Sequence, residues 1–279
     1  MNIQTKASFK KELLAYFRTR AFISVFFVII GCAVLTPLLI SGMGLFIDSM
    51  SDFYNEIGTD VSGFTDALNE STSTGIQSAL ETVSSIGLIV ILITFNSIAG
   101  GEQKKRSVII PANAGLRSFS YIFPKFIIYP LSVLTFAVIA AFTSWFVSVP
   151  LFAVNDLSVG KVFLAGLLSG FGLMIYVCFH LALGTATGKP RMSAAVCIIV
   201  SFILPSILLE MGSGYIYNPF TLDYLIGPVL NMRSLSASVI NDIFITIAFA
   251  LGIMIITFLI ALFVQNAKKI DNSGNEIEL

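Results

Sequence analysis

The stretch AFISVFFVIIGCAVLTPLLISGMGLFI, residues 21–47, runs for 27 residues without one Asp, Glu, Lys, Arg or His. A helix rises about 1.5 Å per residue, so about 20 apolar residues cross the roughly 30 Å of hydrocarbon in a bilayer. This segment can cross with residues to spare. It is longer than the apolar part of a cleaved signal peptide and lacks a small-residue cleavage site, so it reads as a retained span.

Five more stretches of the same character follow, at 83–99, 122–149, 162–185, 193–209 and 243–264. The sequence therefore predicts an all-α polytopic membrane protein with six transmembrane helices. Composition agrees: 56% of residues are hydrophobic and 25 of 279 are Phe, too many for the core of one soluble domain. No repeat, low-complexity tract or linker divides residues 1–279, which read as a single transmembrane domain. The formal net charge is zero, which excludes a strongly basic nucleic-acid binder. Cys32, Cys178 and Cys197 each stand alone in an apolar run and form no disulfide or metal spacing.

The basic residues orient the chain. Lys6, Lys10, Lys11, Arg18 and Arg20 precede the first span, and Lys104, Lys105, Arg106, Arg117 and Lys125 lie between the second and third. Lys189 and Arg191 separate the fourth and fifth, and Lys268 and Lys269 follow the sixth. Only Lys161 and Arg233 fall on the other side. Lys and Arg concentrate in cytoplasmic loops, so both termini are expected inside. The loop 48–82 carries seven acidic residues and no basic one, which places it outside. Its Phe53, Ile57, Val61, Phe64 and Leu68 recur at helical spacing, and its carboxylates lack the spacing of an EF-hand.

Residues 1–20 form a patterned segment of their own. Phe9, Leu13, Tyr16 and Phe17 share one helical face, with Lys10 and the other bases mostly elsewhere, as in a helix lying at a membrane interface.

Catalytic motifs are weak. GTATGKP, residues 184–190, has phosphate-loop glycines at the wrong spacing, and Pro190 stands where a magnesium-binding Ser or Thr would be. His180 is the one histidine; Cys178, two residues away on a helix, faces elsewhere, so a metal site is not expected and a structural or pore-facing role is. No triad, acid–base pair or metal cluster can be assembled, and the chain is expected to be no enzyme and to hold no cofactor by itself. The spans are nearly free of ionisable groups, with Glu81 and Glu210 expected at outer boundaries. That disfavours an ion-coupled carrier.

Between the second and third spans the order is Glu102, the bases Lys104, Lys105 and Arg106, then Ser107, the apolar run Val108-Ile109-Ile110, Pro111, and Lys125 opening the next span. Together with the N-terminal helix, the loop GTATGKPRMSAAV and the broken segment around YNPF, this resembles ATP-binding-cassette type-2 (type V exporter-like) permeases. Those usually carry Gly-Thr where this chain has Arg106-Ser107. The resemblance implies that residues 100–121 are a coupling loop seated on a separate ATPase, with Lys189 and Arg191 in a second contact. It also implies an interfacial helix presenting Phe9, Lys10, Leu13, Tyr16 and Phe17, and re-entrant helices between the fifth and sixth spans. Glu210, Asn218, Pro219 and Phe220 would then belong to an outer gate. ATP and magnesium would bind the partner ATPase, and the permease would dimerise with itself or a similar chain in a bacterial plasma membrane. The expected activity is export of a hydrophobic or amphipathic cargo such as a peptide or lipid-like molecule. An alternative expectation is a non-transporting sensor or immunity protein that sequesters a toxic peptide through the acidic loop.

Overall fold

A computed structural model describes residues 3–50, 71–100, 115–152, 157–210, 218–232 and 236–274. These residues are helical with short connections, and no strand occurs among them. Helix α1 spans Ile3–Arg18 and α2 Arg20–Ser49. Helix α3, Thr72–Ser97, is interrupted by a π-helical turn at Val83–Gly87 and ends in a 3₁₀ turn. Helices α4 (Ser118–Ser148), α5 (Val159–Thr187) and α6 (Pro190–Glu210) follow. A 3₁₀ helix at Pro219–Leu225 leads into α7 (Ile226–Asn231), and α8 runs over Ala237–Gly274.

Six of these, α2 to α6 and α8, are long and apolar enough to cross a membrane, so the described residues are consistent with an all-α polytopic membrane protein. Their limits follow local chemistry. Gly188 adopts a left-handed conformation (φ 65°) that ends α5, and Pro190 opens α6, where a missing N–H is harmless. The second span begins earlier than hydropathy suggests, at Thr72 instead of residue 83. Ser71 caps it by accepting from Thr74 N, and the polar stretch TSTGIQSALET is helical because Thr72, Gly75, Ile76, Ala79 and Leu80 are buried. Glu81 is thus inside a helix and not ahead of one.

Helix α5 is the axis of the bundle. In its most apolar stretch 67% of residues are buried, against 22% in α6 and α8 and 28% in α2. It packs along α4, where Gly170 lets the helices close until an added Cβ would lie 3.1 Å from Leu134 Cα. The 3₁₀ helix and α7 pack on α5 as well. Helices α2, α6 and α8 turn large apolar side chains outward, among them Phe27, Leu39, Phe202 and Phe263. Lipid is the solvent that such faces require.

Helix α1 does not lie apart from the bundle. Thr5 meets Ser120, Glu12 meets Tyr129 and Tyr16 meets Ser132. The nearly constant offset means that α1 and the first half of α4 run side by side in the same direction.

Candidate functional site: a buried polar joint

Thr5, Glu12 and Tyr16 fall at i, i+7 and i+11 of α1, one face of a helix, and are 2–4% exposed. Opposite them α4 offers Ser120, Tyr121, Lys125, Tyr129 and Ser132. Lys125 is 4% exposed, and its Nζ lies 4.0 Å from Glu12 Oε1. It also donates to Tyr121 Oη at 3.1 Å and to the carbonyl of Ile98, just past α3, at 3.4 Å. The ammonium sits 4.4 Å from the centre of the Tyr121 ring, a cation–π distance. On the other side of the carboxylate, Tyr129 Oη donates to Glu12 Oε2 at 3.1 Å. Thr5 and Ser120 share a hydroxyl hydrogen bond of 3.0 Å. Three elements meet at one ion pair: α1, the end of α3, and α4.

Aromatic rings close the site to solvent. Tyr16 packs edge-on against Tyr129, Phe22 and Phe95, and its hydroxyl donates to Ser132 Oγ at 2.9 Å. Burial raises the Tyr16 phenol above its ordinary value, with the Ser132 hydrogen bond working against the rise. Taking two charges out of water costs several kcal/mol per ion, and only good partners offset it. Here each charge has hydrogen bonds as well as its counter-ion. Such a joint can hold elements in register or release them together.

The same end of the bundle contains an unusually close backbone contact. A Cβ on Gly184 would lie 1.6 Å from the Ala99 carbonyl oxygen, and one on Gly100 (φ 126°) would lie 2.4 Å from Gly184 O. One turn earlier on α5, His180 is fully buried. Ser193 of α6 donates its only proton to the His180 carbonyl at 2.8 Å, so its oxygen accepts from His180 Nδ1–H at 2.9 Å. His180 ties α5 to α6, the structural one of its two expected roles.

The other site expectations distribute as follows. Glu102, Lys104, Lys105, Arg106, Ser107, Val108, Ile109, Ile110 and Pro111 lie outside the described residues. Lys125 stands inside α4, seven residues from its start, and is buried where a boundary residue was expected. Lys189 and Arg191 are exposed where α5 passes into α6. Of the α1 residues, Tyr16 points into the joint, Lys10 is exposed, and Phe9, Leu13 and Phe17 line a groove beside α4. Glu210 is the last residue of α6. Asn218 caps the 3₁₀ helix by accepting from Phe220 N at 3.1 Å, Pro219 opens it, and Phe220 packs on Tyr176 and Phe179 of α5.

Two participants were missed. Glu12 was hidden among lysines on a helix read for its apolar face. Asp223, a lone carboxylate in the apolar run TLDYLIGPVL, was a usable signal. It reaches from the 3₁₀ helix to Gly172 of α5 and lies near Ser84 in the π turn of α3. Burial pushes its carboxyl up to about 7; the nearby Ser84 hydroxyl lowers it and Glu81 adds to the rise. Among the described residues no group of three His, Cys, Asp or Glu side chains is placed to hold a metal. The chain matches no protein-family model and no curated protein.

Proposed function

We propose that the chain is the membrane-spanning subunit of an ATP-driven exporter, of the ATP-binding-cassette type-2 permease kind, energised by separate ATPase subunits. The observation that carries the reading is the joint itself. Residues 100–121, proposed as the coupling loop seated on the ATPase, end four residues before Lys125, whose side chain contacts both α1 and the end of α3. Movement of that loop would be passed to three elements at once. Both termini would be cytoplasmic, in a bacterial plasma membrane, and the permease would act as a dimer. The 3₁₀ helix and α7 would lie at the outer face as the re-entrant gate. A hydrophobic or amphipathic cargo suits the Phe-rich spans.

The test is affinity purification of the tagged chain from its own membranes in mild detergent, with and without the triple substitution Val108→Ser, Ile109→Ser and Ile110→Ser. The parent chain is expected to bring down an ATPase, with ATP hydrolysis in the eluate. Full burial of each apolar side chain is worth about 1.5–3 kcal/mol, so the triple variant loses that association while reaching the membrane at normal levels. A parent chain that purifies with no ATPase, or a triple variant that keeps it, overturns the reading.

A further inference from the structure

We propose that the groove between α1 and α4 is a binding site for an anionic phospholipid of the leaflet at the joint's end of the bundle. The groove encloses about 260 Å³ and is lined by Phe9, Leu13 and Phe17 from α1 and by Ile127, Leu131 and Thr135 from α4. It is open along its side: Leu13 is 38% exposed, Phe17 55% and Leu131 51%.

The order of residues along it selects the occupant. Lys6, Lys10, Leu13 and Phe17 are spaced four, three and four residues apart, so they form a single stripe. The cationic half of that stripe lies level with the start of α4, where Thr5 meets Ser120; the apolar half lies deeper, where Tyr16 meets Ser132. A phospholipid has the same sequence of chemistry, an anionic phosphate and then an acyl chain. The only carboxylate of α1 is turned away from it: Glu12 is buried against Lys125, while Lys6, Lys10, Lys11 and Arg18 are exposed. The exposed charge of α1 is therefore uniformly positive, which favours anionic over zwitterionic headgroups. Tyr16 lines the groove and its ring stands perpendicular to that of Tyr129, so the bound chain supports the packing of α1 on α4.

The experiment uses the full chain carrying Trp145→Phe and Leu131→Trp, placing the single tryptophan in the groove. It is reconstituted into phosphatidylcholine vesicles doped with acyl-brominated phosphatidylglycerol or acyl-brominated phosphatidylcholine. Bromine quenches only by contact. The anionic lipid is expected to quench with at least about a fivefold preference, the scale of one engaged lysine. Lys6→Gln with Lys10→Gln should abolish the preference, and the Lys→Arg pair should retain it. Ile139→Trp, exposed on α4 beyond the groove, should show no preference. If Leu131→Trp does not reconstitute, Phe17→Trp reports from the opposite wall. Equal quenching by the two lipids overturns the proposal, and so does an equal anionic preference at Ile139→Trp, which would mean diffuse enrichment around a basic protein.

Discussion

At the scale of single residues, the Glu12–Lys125 pair dominates because each charge is almost completely out of water. Removing Glu12 leaves Lys125 buried without its counter-ion, and removing Lys125 leaves Glu12 only the exposed Lys11, 3.7 Å away. Glu12→Gln or Lys125→Met alone is expected to cost about 3–5 kcal/mol, whereas an apolar pair, Glu12→Leu with Lys125→Met, should recover much of that loss. Chemical unfolding in detergent, read as a double-mutant cycle, measures the coupling; simple additivity would show that the ions do not act as a pair. Asp223 offers a second residue-level test through pH. Its folded-state value of about 7 is raised above the ordinary carboxyl value of 3.8. The folded protein then binds the proton more tightly, and the contribution of Asp223 to stability is full below about pH 4 and lost as pH rises through about 7. Asp223→Asn should flatten that part of the pH profile of thermal unfolding. An unchanged slope would place the titration elsewhere.

At the scale of elements, the contact of α5 with the end of α3 is set by the absence of a side chain. Gly184→Ala forces the helices apart, and overpacking of this kind costs about 1–3 kcal/mol. Gly42→Ala in α2, where nothing lies within 4 Å, should instead stabilise by about 0.5–1 kcal/mol through helix propensity. Equal melting-temperature shifts for the two would deny the close contact. The elements were also where sequence reading was strongest. Six apolar helices were legible because hydropathy responds to lipid directly. The first part of α3 was not, since Thr72, Ser73 and Gln77 are polar and their helicity depends on partners in α2 and α4. The amphipathic pattern of α1 was visible, but its docking along α4 was not. That docking rests on Glu12 finding Lys125, and no local spacing relates residues so far apart in the chain.

At the scale of the molecule, the proposed orientation has a direct check. In a chain whose three native cysteines are replaced, new cysteines at Ser49 and Ser236 should react with an impermeant thiol reagent added to intact cells. Cysteines at Thr19 and Thr187, all four sites being exposed, should react only after the membrane is opened. The reverse pattern would invert the protein and remove the coupling loop from the cytoplasm. One feature joins the two ends of the bundle: the π turn at Val83–Gly87. A π turn holds about one residue more than the α-helical turn it replaces, and each residue of a helix is worth roughly 100° of rotation. Within it, Ser84 bonds Ser169 of α5 and lies near Asp223; beyond it, Phe95 enters the rings around Glu12. The surplus residue acts as a gear tooth. Deleting it would swing Phe95 out of the aromatic cluster while touching no residue of the joint, so the length of α3 is as much a determinant of that site as its side chains.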